Sequence, residues 1–165
     1  IDGLTQIYNK RAFLDKISET FKRAKIMDIP LCLVVFDLDK FKSVNDTYGH
    51  RAGDFVLSEL SKLIKKQLRP GDFFARYGGE EFTVVLVNTN KEAATTVAKR
   101  IVQNIQDYNF SMNGEEVDMT ISCGLSEYPK DSDTLKDLIQ FADEGLYKTK
   151  ENGGNDVTIY SSISG

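Results

Sequence analysis

The chain of 165 residues is 41% hydrophobic and 28% charged, with a formal net charge of -4. That length supports one sizeable core and makes a single domain over 1–165 the default. The mild acidity leaves no broad basic field, which excludes a whole-surface grip on a nucleic-acid polymer and leaves a nucleotide as the easier partner. No apolar run approaches the ~20 residues of a membrane-spanning helix, and the charged N-terminal stretch does not resemble a signal peptide. Cys32 and Cys123 show neither metal-type nor disulfide spacing, so a reducing cytoplasm is the expected location. Ile1 in place of Met points to a fragment of a longer sensor protein, whose upstream part can carry a membrane anchor.

In chain order, Phe13, Ile17, Phe21 and Ala24 recur at helical spacing, and Pro30 separates that helix from the continuous apolar run Leu31 to Phe36. Such a run predicts a central strand covered on both faces. Val56, Leu60, Leu63, Ile64 and Leu68 mark a second helix, which Pro70-Gly71 terminates. Phe73 to Tyr77 and Phe82 to Val87 read as two strands joined through Gly78-Gly79, residues able to take the positive φ of a tight hairpin. Asn90 caps a third helix striped by Ala94, Val97, Ala98, Ile101 and Ile105. Val117, Met119, Ile121, Cys123 and Leu125 alternate strictly, as in a half-buried strand. Thr134 and Asp137 form a capping-box-like start to a last helix lined by Leu138, Ile139, Ala142 and Leu146. Gly153-Gly154 ends it, and Val157 to Tyr160 can add an edge strand. Without the first and last helices the order is βαββαβ, a ferredoxin-like core: an α+β domain with a mainly antiparallel sheet, flanking helices and extra terminal elements.

Asp37 and Asp39 flank Leu38 where the central run stops, and an antiparallel sheet can set that strand end beside the hairpin tip. Asp37, Glu80 and Glu81 would then be clustered hard oxygen donors suited to Mg²⁺ shared with phosphate. The alternative is that Asp37 caps a turn and the two glutamates solvate a hairpin. Gly78 and Gly79 weigh against it, because glycines let a triphosphate approach the backbone while a neighbouring carboxylate holds the cation.

These residues carry a resemblance. The chain resembles the GGDEF domains of diguanylate cyclases, with the signature written "GGEEF" from Gly78 to Phe82. Around it, in the family's order, stand "DGLT" (Asp2 to Thr5), "FDLDKFKSVNDTYGHRAGD" (Phe36 to Asp54) and "ADEGLYKTKENGGND" (Ala142 to Asp156). The resemblance implies a nucleotidyl cyclase, with a polymerase-palm-like core, that condenses two GTP into cyclic di-GMP and releases two pyrophosphates. It implies two facing domains, each holding one GTP, hence a homodimer for catalysis. It further implies two Mg²⁺ per active site, with Mn²⁺ an alternative, held by Asp37, the Leu38 carbonyl and Glu80. Glu80 or a nearby water would accept the 3'-hydroxyl proton, and Glu81 would support the metal.

Asn45 and Asp54 match the family's guanine-binding positions, and a carboxylate can accept from the N1 and N2 hydrogens that guanine has and adenine lacks. Without the family they read as a turn residue and a helix cap. His50 matches a nucleotide-contacting position, against a loop imidazole bonded to backbone. Lys42 and Lys150 match phosphate-contacting lysines, against solvated surface cations. Gly154 stands where the family commonly has Arg, which predicts weaker GTP binding unless Lys148 and Lys150 compensate. Arg69 and Asp72 match the inhibitory RxxD motif that binds the product, with Arg100 as a secondary part, and the alternative is a turn around Pro70-Gly71. The rival functions are a catalytically weak or inactive GGDEF domain that binds GTP or cyclic di-GMP as a regulatory module, and a generic ferredoxin-like interaction domain. The intact acids favour the cyclase, and Asp54 disfavours the related enzymes that make mixed cyclic dinucleotides.

Overall fold

The apolar run that begins at Leu31 becomes the middle strand of a five-stranded sheet. The computed structural model describes residues 1–161, so 162–165 of the expected 1–165 domain lie outside the described residues. The elements are α1 (Lys10–Met27), β1 (Leu31–Leu38), α2 (Phe41–Tyr48), α3 (His50–Lys65), β2 (Phe73–Arg76), β3 (Glu81–Val87), α4 (Lys91–Asp107), β4 (Phe110–Met112), β5 (Glu115–Val117), β6 (Ile121–Tyr128), α5 (Leu135–Glu151) and β7 (Val157–Ile159). The sheet order is β2-β3-β1-β6-β7, with β1 antiparallel to both β3 and β6 and only β7 parallel to its neighbour. Its first four strands have the ferredoxin-like order, and the parallel edge makes the sheet mixed.

β1 is covered on both faces. Cys32, Val34, Phe36 and Leu38 pack with α3 and α4, while Leu31, Leu33 and Val35 pack with Phe13, Ile17 and Phe21 of α1 and with Leu138 and Ala142 of α5. Asn9 and Asn90 cap α1 and α4 by accepting from the N–H groups of Ala12 and Ala93. At α5 the capping box is half made: Thr134 accepts from the Asp137 N–H, but the Thr134 N–H donates to Ser132 Oγ rather than to the Asp137 side chain.

Three expectations are corrected. The segment before Val56 holds two helices, because Gly49 at φ 92 turns the chain between α2 and α3; α2 buries only Val44, too little to write a periodicity. The alternating stretch is not one half-buried strand: Val117 ends β5 in a separate two-stranded hairpin with β4, and β6 is buried on both faces from Ile121 onward. Its intervening Ser122, Gly124 and Ser126 are small rather than solvent-facing. A Cβ on Gly124 would overlap Ala142 O and Leu146 N of α5, so the alternation marks close helix packing. Finally, neither Gly78 nor Gly79 has positive φ. An added Cβ would meet nothing within 4 Å at Gly79 and, at Gly78, the Glu81 side chain at 3.5 to 3.7 Å, so these glycines remove bulk from the tip.

Candidate active site

Antiparallel pairing places Asp37 opposite Glu81, and the Leu38 N–H donates to Glu80 O at 3.4 Å, so the end of β1 and the hairpin tip meet. The tip is tied down twice. The N–H groups of Tyr77 and Gly78 both donate to Glu81 O, at 2.7 and 3.2 Å. Arg76 donates through Nε and Nη2 to Gly79 O, at 3.0 and 2.8 Å, and reaches Asp2 Oδ2 at 3.3 Å. Burial opposes ionisation of Asp2, but hydrogen bonds from Thr5 and the Arg76 guanidinium hold its carboxyl below the ordinary value. The N-terminal "DGLT" stretch therefore braces the hairpin.

The two aspartates around Leu38 have opposite fates. Asp39 accepts from Thr120 Oγ1 (2.8 Å), Ser122 Oγ (2.5 Å) and the Asn155 N–H (3.0 Å), which binds the loop after α5 to the ends of β1 and β6. Asp37 Oδ1 is buried and accepts no hydrogen bond, and Asp37 Oδ2 faces Lys150 Nζ at 3.4 Å. Burial pushes the Asp37 carboxyl up, with Lys150 opposing and Glu81 and Asp39 adding to the rise. Glu80 is raised by burial and then by Asp37, with Lys150 again opposing. Two carboxylates that disfavour each other's ionisation, one with an orphaned oxygen, form a site short of positive charge. The donor set of Asp37, Glu80 and the Leu38 carbonyl is all hard oxygen and fits Mg²⁺, whose shell phosphate and water oxygens would complete. No three His, Cys, Asp or Glu side chains among the described residues converge into a metal cage of their own.

Phe41, Lys42, Asn45, His50, Asp54, Leu57, Arg76, Gly79 and Glu80 line one cavity of about 460 Å³. The expected base-contacting residues and the expected acid thus share a surface, although the tip and the α2–α3 corner are far apart in the chain. Asn45 lies across Gly53, where a Cβ would overlap Asn45 Oδ1, so Gly53 provides the space. Asp54 is not a helix cap: Gly49 precedes α3, and Asp54 stands exposed inside the helix. His50, the first residue of α3, and Lys42 on α2 are exposed. Lys150 sits on the other side of Asp37, at the end of α5. Gly154, at φ 76, packs so close that a Cβ would lie 3.0 Å from both Asp39 carboxylate oxygens and from Ser122 Oγ.

The family model described as diguanylate cyclase, GGDEF domain, matches residues 1–156. The chain is a GGDEF domain. It is 46% identical over 129 residues to diguanylate cyclase A of Treponema denticola, covering 78% of this chain and 35% of that protein. It is 36% identical over 159 residues to a diguanylate cyclase of Vibrio cholerae, covering 96% of this chain and 49% of that protein. The chain thus spans between a third and a half of the length of these curated relatives. Among solved structures, the GGDEF domain of DgcB from Caulobacter crescentus in complex with c-di-GMP superposes with a TM-score of 0.89 at 33% identity, covering 96% of this chain and 91% of that one. The active GGEEF domain of a diguanylate cyclase from Vibrio cholerae superposes with a TM-score of 0.88 at 35% identity, covering 95% and 99%.

At the far end of β3 from its signature, this GGDEF domain places Arg69, Asp72 and Arg100 around a second cavity of about 230 Å³. Six strand steps from Glu81 to Val87 put it roughly 20 Å from the hairpin tip. Asp72 accepts from the N–H groups of Val87 (3.1 Å) and Arg69 (3.0 Å) and from Arg69 Nε (3.4 Å), and its side chain is 3% exposed. It is therefore an anchor for Arg69. Arg100 is held by Gln67 Oε1 at 3.3 Å. Sequence reasoning missed the supporting roles of Asp2, Arg76 and Asp39, whose contacts across the fold join positions 74 to 116 apart and leave no local pattern. Among the described residues no helix is long and apolar enough to cross a membrane.

Proposed function

We propose that this GGDEF domain is a diguanylate cyclase that condenses two GTP into cyclic di-GMP and two pyrophosphates. What supports the reading most is the continuity of one cavity from Asn45 and Asp54 to Gly79 and Glu80, with Asp37 behind the tip. A guanine held at one end leaves its phosphates over the glycines and acids at the other. Asp54 accepts from guanine N1 and N2 hydrogens, Asn45 pairs with the base edge, and ATP would leave these groups unpaired. His50 and Lys42 stand at the rim to contact the nucleotide, and Lys150 meets phosphate charge beside Asp37.

In each half-reaction the 3'-oxygen of one GTP forms a bond to the α-phosphorus of the other as the bond from that phosphorus to the pyrophosphate oxygen breaks. The 3'-hydroxyl proton passes to Glu80 or to a water it holds, and a raised Glu80 pKa suits that role. Mg²⁺ or Mn²⁺, bound by Asp37, the Leu38 carbonyl and Glu80 with Glu81 in support, would neutralise phosphate charge and acidify the 3'-hydroxyl. The product is two-fold symmetric, so two domains facing across a two-fold axis make the complete site. Gly154 leaves the phosphates one guanidinium short, which weakens GTP binding. Arg69, fixed by Asp72 and joined by Arg100, forms the site where product inhibits. The cytoplasm, where GTP is made, is the proposed compartment, and 1–165 one domain of a longer sensor protein. The test is product formation against protein concentration. A rate rising more than linearly supports the paired site, and strict proportionality down to monomeric concentrations contradicts it.

A further inference from the structure

Arg69 is positioned but not available. A guanidinium can fork onto guanine O6 and N7 through either of two edges, Nε with Nη2 or Nη1 with Nη2, and both edges use Nη2. In this structure Nη2 is committed twice: it donates to Val87 O at 2.9 Å and to Thr89 Oγ1 at 2.6 Å, while Nε faces Asp72 Oδ2 at 3.4 Å. The Thr89 hydroxyl closes the ring by donating its own proton to Val87 O at 2.9 Å. Resting on the product-site reading above, we propose that Thr89 latches Arg69 in a self-satisfied state, and that the latch sets how tightly cyclic di-GMP binds there.

The surroundings assign the moving part. Asp72 is almost fully buried with both oxygens occupied, so it stays, whereas the Arg69 side chain is 60% exposed and has room to swing. Val87 O belongs to β3 and cannot leave. Thr89 is 5% exposed, and its backbone is held without the hydroxyl: its N–H donates to Pro30 O at 3.3 Å and its carbonyl accepts from Cys32 Sγ at 3.2 Å. The hydroxyl is thus the removable element of the latch. Each edge uses one of the two Nη2 hydrogens, both already taken, and a side chain that swings out to meet guanine leaves Thr89 together with Val87 O, so each binding event loses a contact that the free protein enjoys.

Removing the hydroxyl should therefore tighten binding. Titration calorimetry of cyclic di-GMP into the domain is expected to give Thr89→Val a dissociation constant about three- to tenfold lower than the parent, the worth of one competing hydrogen bond. Thr89→Ser keeps the hydroxyl and is expected to match the parent, which a purely packing role would not produce. Thr89→Ala repeats the deletion should valine impair folding, as judged from thermal melts. Equal or weaker binding in the hydroxyl-less variants, with Arg69→Ala abolishing it, overturns the latch and leaves the product site standing. Binding that survives Arg69→Ala, or a parent that does not bind, removes the product-site reading itself and the latch with it.

Discussion

Asp37 and Asp39, two positions apart on one strand end, should respond to substitution in opposite senses. Asp39→Ala deletes the acceptor of three hydrogen bonds, from Thr120, Ser122 and Asn155. Bonds to a charged group contribute about 1.5–3 kcal/mol each, but the freed hydroxyls can rotate to new partners, so about 3 kcal/mol net is the working figure. For a domain of this size that lowers Tm by about 6–12 °C. Asp37→Asn instead removes a half-buried charge with an orphaned oxygen, whose ionisation burial already opposes. Metal-free stability should hold or rise, while binding of Mn²⁺, followed by calorimetry, is lost. Thermal and urea unfolding of both variants at neutral pH, without divalent ions, decide the matter. An Asp37→Asn variant as destabilised as Asp39→Ala would refute this division of labour between the two aspartates, because it would make Asp37 a structural residue too.

Three further outcomes are expected. Burial raises the carboxyls of Asp37, Glu80, Asp143 and Glu127, so the folded protein keeps protons that the unfolded chain has released. Metal-free stability should then fall as pH rises from the ordinary values of 3.8 and 4.5 through the raised folded ones, and level off above them; urea midpoints across that range check this, and a rise there contradicts it. Gly124→Ala drives a methyl into the α5 backbone and should cost about 3 kcal/mol of unfolding free energy, read from the urea midpoint; a change under roughly 0.5 kcal/mol would mean α5 is free to shift. Asp54→Ala should weaken GTP binding at least tenfold while leaving ATP binding, already weak, little changed, as measured by competition titration.

Much of this was legible from short-range signals. The run Leu31 to Phe36 announced a strand buried on both faces, and the Pro70-Gly71 break followed by two apolar runs announced the hairpin. Because β1 and β3 are antiparallel, the meeting of the β1 end with the hairpin tip, Asp37 opposite Glu81 and Leu38 bonded to Glu80, follows from topology. What stayed hidden depends on partners distant in the chain. α2 buries one side chain, so nothing in its pattern separates it from a loop. β6 looked half-exposed because glycine and serine imitate a polar face, and only the approach of α5 shows that they are small to admit a helix. Gly78 and Gly79 invited a dihedral argument that the backbone does not use. Nothing around Thr89 hinted that its hydroxyl faces an arginine two loops away.

The proposed cyclisation takes place where the hairpin tip meets the end of β1. The most direct test is chromatographic detection of cyclic di-GMP after incubating the domain at high concentration with GTP and Mg²⁺, beside Glu80→Gln at matched GTP occupancy. Cyclic di-GMP and pyrophosphate in a 1:2 ratio are expected from the parent, and neither from the variant. Product from Glu80→Gln at the parent rate, or none from the parent despite bound GTP and a demonstrated dimer, would contradict the proposal.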